Sequence, residues 1–199
     1  MELPDKSAYK EGMVLGDIWG LQFDRFLTED DFNADGSLKA GLPDQTKVFP
    51  AGYQFAPGDV LYKDLDNNGE IVKQTNTNDK GDLSVIGNAL PRLQFGLNLD
   101  AAWKGFDISM FFQGVAKRKL WAAGNQVLPG FTTGEPFYKG AEDYWTPENT
   151  DAFYPRPMDY KQSASGNYSV NDRYLLNMAY LRLKTFTVGY SLPKVWLSK

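Results

Sequence analysis

The chain of 199 residues is predicted to be all-β: an antiparallel meander within a large transmembrane β-barrel, carrying long irregular extracellular loops. Three observations predict this. Strict two-faced alternation runs from Leu93 to Trp103, a matching stretch follows a two-residue turn, and two connections are far longer than a compact soluble domain employs. Alternation also occurs in soluble β-sandwiches, where the apolar parity faces a second sheet. The alternative reading is therefore a secreted carbohydrate-binding β-sandwich, with calcium as a candidate ligand.

Residues 1–27 set Gly12, Gly16 and Gly20 among Met13, Val14, Leu15, Ile18, Trp19, Leu21, Phe23 and Phe26, which predicts short Gly-interrupted strands. Residues 28–92 are rich in Asp, Asn, Gly and Pro. Turns are predicted at 34–36, at Pro43 and Asp44, and at Pro57 and Gly58, with one helical turn over 28–32. Residues 1–92 thus read as short strands and a first long extracellular loop.

Between Leu93 and Trp103, the residues Leu93, Phe95, Leu97, Leu99, Ala101 and Trp103 share one face, and Gln94, Gly96, Asn98, Asp100 and Ala102 the other. At roughly 3.3 Å per residue and a tilt of about 45°, such a strand spans about 25 Å, the height of the apolar band on an outer-membrane barrel. After Lys104 and Gly105, Phe106, Ile108, Met110 and Phe112 alternate with Asp107, Ser109, Phe111 and Gln113. A transmembrane hairpin over 93–114 follows, its tight turn favoured by glycine. Trp103 and Phe106 flank that turn, where aromatics anchor a membrane interface. Phe111 departs from the pattern, because it points into the polar lumen.

Residues 115–179 form a second long extracellular loop containing Pro129, Pro136, Pro147, Pro155 and Pro157, with no strand of barrel length. Residues 180–193 are a third transmembrane strand of imperfect parity. Leu181 and Leu183 lie on one face, and Phe186, Val188, Tyr190 and Leu192 on the other. Either a bulge near Lys184 and Thr185 unites the two sets, or the first residues stand above the bilayer. Residues 194–199 read as a truncated periplasmic turn.

Composition removes several function classes. Net charge is −4 with Lys and Arg scattered, so the basic footprint of a nucleic-acid binder is missing. With no Cys and no His, the chain has neither a thiolate site nor the His-activated nucleophiles and usual zinc sets. No apolar run reaches the length of a membrane helix, which leaves barrel strands as the membrane-crossing option. The first residues carry no secretory signal pattern, so the chain as written is not expected to export itself.

Several blocks carry a family likeness. Residues 57–69 (PGDVLYKDLDNNG), 85–91 (VIGNALP), 103–107 (WKGFD), 111–114 (FFQG), 143–149 (DYWTPEN), 179–184 (AYLRLK) and 189–193 (GYSLP), with 11–16 (EGMVLG), Trp19 and Gly20, resemble in content and order the SusC/RagA-type TonB-dependent outer-membrane transporters. The resemblance implies a barrel of about 22 strands with an N-terminal plug, working with a SusD-type surface lipoprotein lid and the TonB complex to import oligosaccharide or peptide. It implies too that this chain is a C-terminal barrel fragment, lacking plug and remaining strands, located in the bacterial outer membrane. Such a piece is not expected to transport alone, since an open sheet in lipid leaves its edge groups unpaired.

Two sets of residues are candidate sites. Asp64, Asp66, Asn68 and Gly69 match the first half of a calcium loop, in which oxygen ligands alternate and glycine permits the turn. The ninth and twelfth positions are Val72 and Thr75, so Asp79 and Asp82 are proposed to supply the missing carboxylates; otherwise the stretch is a turn that caps its own backbone. Calcium is the one cofactor candidate. Trp121, Asn125, Phe131, Tyr138, Tyr144, Trp145, Phe153 and Tyr154 offer aromatic walls and a polar group of the kind that lines small-ligand pockets. Trp121, Asn125, Tyr144, Trp145, Phe153 and Tyr154 are the candidate substrate contacts, with simple loop packing as the competing account. Glu142, Asp143 and Glu148 lack the positioning that a glycosidase pair needs, and no catalytic residue is assigned.

Overall fold

The computed structural model describes residues 13–73, 81–124, 127–129, 138–158, 166–193 and 196. In chain order its strands are β1 (Asp17–Gly20), β2 (Phe23–Phe26), β3 (Val60–Tyr62), β4 (Ser84–Asn88), β5 (Leu93–Trp103), β6 (Phe106–Ala116), β7 (Lys119–Leu120), β8 (Leu176–Asn177) and β9 (Tyr180–Tyr190). All named strand pairs are antiparallel: β1 with β4, β2 with β3, β7 with β8, and the sheet β5-β6-β9.

The alternating stretches form that three-stranded sheet. β5 and β6 pair without interruption from Trp103 opposite Phe106 to Leu93 opposite Ala116. Lys104 and Gly105 turn the chain with φ of 49° and 88°. Positive φ at both positions matches the right-handed twist of the flanking strands, and glycine meets it at little steric cost. β6 extends to Ala116, beyond the predicted end of the hairpin, whereas β9 stops at Tyr190, before Leu192.

The imperfect parity of the third strand is resolved by a bulge. Phe111 pairs with Thr185 and Phe112 with Leu183, leaving Lys184 as the extra residue. Leu181, Leu183, Phe186, Val188 and Tyr190 therefore all lie opposite the apolar parity of β6. One inserted residue reverses facing, so two runs of opposite parity meet on one side.

Phe111 likewise has a structural reason. A Cβ on Gly96 would lie 2.9 Å from the Phe111 ring, so this aromatic covers a glycine on the polar face. Phe95 does the same over Gly114 on the apolar face. Each ring fills the gap that a glycine leaves in the pleated surface.

Among the described residues, no other strand packs on the faces of this sheet. Its apolar side is open: Leu97 is 49% exposed, Phe186 59% and Trp103 71%. A sandwich needs a second sheet about 10 Å away covering that face, and none of the described strands forms one. At the turn end Phe106 and Tyr190 rings sit 4.5 Å apart, and the Lys104 ammonium lies 4.7 Å from the Trp103 ring. An apolar band edged by aromatics is the arrangement of a lipid-facing barrel wall.

The two long connections share one core. Leu21, Phe26, Val48, Val60, Tyr62, Ile71 and Leu83 pack with Trp145 and Ala152 from the later connection. Leu128, Tyr168 and Tyr174 make a second cluster. The predicted helical turn is a 3-10 turn over Glu29–Asp31, with the Thr28 N–H donating to Asp31 Oδ2 at 2.7 Å. The turn expected at Pro43 and Asp44 lies later. Asp44 bridges Glu70, and its Oδ1 accepts the Thr46 N–H at 2.9 Å, which starts a turn over 46–48.

Candidate functional site

The body that the two long connections form is fastened by a buried polar knot. Asp59 is wholly buried, yet its carboxylate accepts from Arg156 Nε at 2.7 Å and Nη2 at 3.2 Å, Tyr53 Oη at 2.9 Å, Asn167 Nδ2 at 3.0 Å and the Ala56 N–H at 2.9 Å. Burial first, and then the Asp59 charge, push the Tyr53 phenol well above its ordinary value, so it stays a hydrogen-bond donor. A buried charge of this kind is tolerated because every lone pair finds a donor. Asn167 Oδ1 accepts the Val60 N–H at 2.8 Å, tying the knot to β3.

The aromatic candidates divide. Trp145 is only 6% exposed and its ring lies over Gly58, where a Cβ would come within 2.5 Å. That corrects its expected place in an exposed wall: φ of 90° at Gly58 lets the backbone come up under the indole, and the ring is part of the core. Trp121 and Tyr154 are half-buried against the Leu128, Tyr168 and Tyr174 cluster, with Tyr154 and Tyr174 stacked 6.0 Å apart. Phe153 is exposed at one edge; the Arg173 guanidinium lies 5.3 Å from its ring and 4.3 Å from that of Phe23. Arg173 also donates to the Phe153 and Ala152 carbonyls at 2.8 and 2.7 Å, so this group is cross-linked by packing. Asn125 and Phe131 lie outside the described residues.

Tyr144 stands apart from that packing. With Tyr138, Lys139, Ala141, Glu142 and Pro157 it lines a cleft of about 400 Å³. Lys139, Ala141 and their neighbours form a 3-10 turn, closed by the Ala141 N–H donating to the Tyr138 carbonyl at 2.9 Å. Tyr144 is held by a bridge to Tyr154, and Pro157 follows Arg156, whose N–H donates to the Gly58 carbonyl at 3.0 Å. Sequence reading placed Tyr138 and Tyr144 in one aromatic set but missed Lys139, Ala141, Glu142 and Pro157. Nothing local marks a Pro as the wall opposite a tyrosine. Of the acidic residues weighed for hydrolysis, Asp143 accepts from Asn149 Nδ2 at 3.1 Å and from the Phe153 N–H at 3.0 Å, which fixes it as a loop brace.

Asp64, Asp66 and Asp82 come together, each offering a carboxylate oxygen within 4.8 Å of the others. Asp82 returns from beyond the turn to join them. Asp79 lies outside the described residues. Asn68 turns inward on the loop itself, its Oδ1 accepting the Glu70 N–H at 2.7 Å and its Nδ2 donating to Asp66 at 2.9 Å. Asp64 accepts the Asn67 and Gly69 N–H groups at 2.7 and 2.8 Å, and Asp82 those of Leu65 and Val72, both at 2.8 Å. Desolvation raises the Asp64 carboxyl, but the hydrogen bonds around it, led by those from the Gly69 and Asn67 amides, outweigh it, and its pKa is lowered. Each of these oxygens keeps a second lone pair, so the three carboxylates fit a hard, oxygen-loving cation.

No family model matches the chain. Over 196 residues, 96% of its length, it is 28% identical to the TonB-dependent receptor P3 of Formosa agariphila. It is also 34% identical over 132 residues to the TonB-dependent receptor P26 of the same organism, covering 64% of the chain. The chain spans 16% and 12% of the lengths of these relatives. Its all-β antiparallel architecture, with a three-stranded sheet whose apolar face no described strand covers, goes with this similarity to segments of TonB-dependent receptors.

Proposed function

We propose that this chain supplies part of the barrel wall and outer loops of an outer-membrane importer of SusC/RagA type, which takes up glycan or peptide under a SusD-type surface lipoprotein, is energised through TonB and catalyses no reaction. The carrying observation is the sheet of eleven-residue strands whose apolar face no strand covers among the described residues. The likeness to receptors named for TonB dependence supports the energy source. The ordered blocks resembling SusC/RagA transporters support the subtype and the lid.

The chain has no cysteine, so single reporters are simple to introduce. In the whole receptor in its native membrane, Leu97→Cys should resist a hydrophilic maleimide and Asn98→Cys should react with it. Equal labelling of both sides would overturn the lipid-facing assignment. Loss of uptake on removal of TonB, with the receptor still in the membrane, tests the importer role.

We also propose calcium at Asp64, Asp66 and Asp82, supported by the convergence of three carboxylates on one point. Calorimetric titration of the whole receptor with calcium should show a site that Asp66→Ala weakens at least about tenfold. Heat unchanged by that substitution would refute it.

A further inference from the structure

We infer that the cleft between Tyr138 and Tyr144 receives one ring of a saccharide, as a contact point on the outer face. The inference rests on the reading of this chain as an importer whose long connections face outward. Its chemistry comes from the cleft itself. Tyr138 is 43% exposed and Tyr144 40%, so both lining tyrosines are open to solvent, and Ala141, which lines the same cleft, is buried. A cavity of about 400 Å³ is at the lower end of ligand-site sizes.

The polar groups suit a diol. Lys139 carries only donors and Glu142 carries only acceptors once ionised, while each sugar hydroxyl does both. Neither side chain makes a described hydrogen bond or ion pair in the protein, although the two residues line the same cleft. The C–H faces of a pyranose are apolar and pack on tyrosine, which brings a large rigid surface at low entropic cost. The walls are already in place. Tyr144 is adjacent to the core residue Trp145, and Pro157 is adjacent to Arg156 in the Asp59 knot, so binding orders little that is not already ordered. An extended peptide is less well served, because among the described residues no named strand lines the cleft to continue its backbone hydrogen bonds.

The test uses the whole receptor in detergent, titrated with neutral oligosaccharides of α-glucan, β-glucan, xylan and mannan type, and with a mixed peptide library. Tyr138→Ala and Tyr144→Ala, both at exposed positions, should each weaken the retained saccharide about tenfold, a change of about 1.4 kcal/mol. Tyr138→Phe and Tyr144→Phe keep the ring and should bind as the parent does. Lys139→Met and Glu142→Gln should each weaken binding several-fold. Unchanged affinity in both alanine variants, retention of peptide but no saccharide, or retention of neither would overturn the inference. The maleimide pattern at Leu97 and Asn98 is independent of all these outcomes, so a failed cleft and a failed importer reading are told apart.

Discussion

Arg156 Nε donates to Asp59 Oδ1 at 2.7 Å, joining residues that are 97 positions apart in the chain and lie in different long connections. Asp59 has no solvent to fall back on. Removing the cation leaves a buried carboxylate short of its charged partner, at a cost of about 3–5 kcal/mol. Arg156→Ala should therefore speed amide exchange around 56–62 and 166–169 while the amides of β5 and β6 keep their protection. Uniform loosening of the sheet as well would show that the knot is not confined to the body formed by the long connections.

Leu97 and Asn98 are neighbours in sequence on opposite faces of β5. An arginine on the lipid face near mid-bilayer costs about 2–4 kcal/mol, whereas on a wet face it is tolerated. Leu97→Arg should lower the amount of folded receptor in the outer membrane, with Asn98→Arg close to the parent. Heat-modifiable mobility on gels would read the folded fraction.

The extra residue at the β9 bulge leads to an unusual expectation. Because Phe111 pairs with Thr185 and Phe112 with Leu183, deletion of Lys184 leaves a regular strand with its apolar residues still outward. Deleting Thr187 instead reverses every side chain on one side of the cut. The first deletion should retain folded receptor and the second should lose it; membrane levels of the two variants decide the matter.

Asp31 carries a pH prediction. Two hydrogen bonds from Arg25 at 2.6 and 2.7 Å lead the causes that lower its carboxyl from 3.8 to about 2, with the Thr28 N–H assisting against desolvation. A carboxyl depressed on folding contributes stability above its unfolded value and loses it as pH falls through the folded value. The contribution is thus complete above about pH 4 and fades toward pH 2, screened in part because Arg25 is partly exposed. Asp31→Asn should abolish this slope in the exchange rates of residues 28–32 while leaving rates near pH 7 only modestly raised. An unchanged slope would refute the assignment.

The long alternating strands were readable because their information is local. A period of two places Phe95, Leu97 and Leu99 on one side whatever lies nearby, and Lys104 followed by Gly105 announces the turn. Even the bulge showed itself as a parity conflict between Leu183 and Phe186. The acidic cluster was legible for the same reason: Asp64, Asp66 and Asn68 alternate, and Asp82 is a short return away.

The body formed by the long connections was not readable in this way. Trp145 looked like an exposed wall because its neighbours are polar and Pro-rich, yet it lies over Gly58, which is 87 positions earlier. Asp59, Arg156 and Asn167 belong to no periodic pattern, and their meeting depends on how two irregular connections fold around each other.

Read alone, the order of residues settled the alternating pattern, the hairpin and which side chains share a face, since alternation and turn chemistry act between near neighbours. The three-dimensional arrangement settled that no described strand covers the apolar face, that the long connections share a core, and that Tyr138, Tyr144 and Pro157 line a cleft. Those outcomes are contacts between distant parts of the chain, and packing chooses them only when the whole chain is folded.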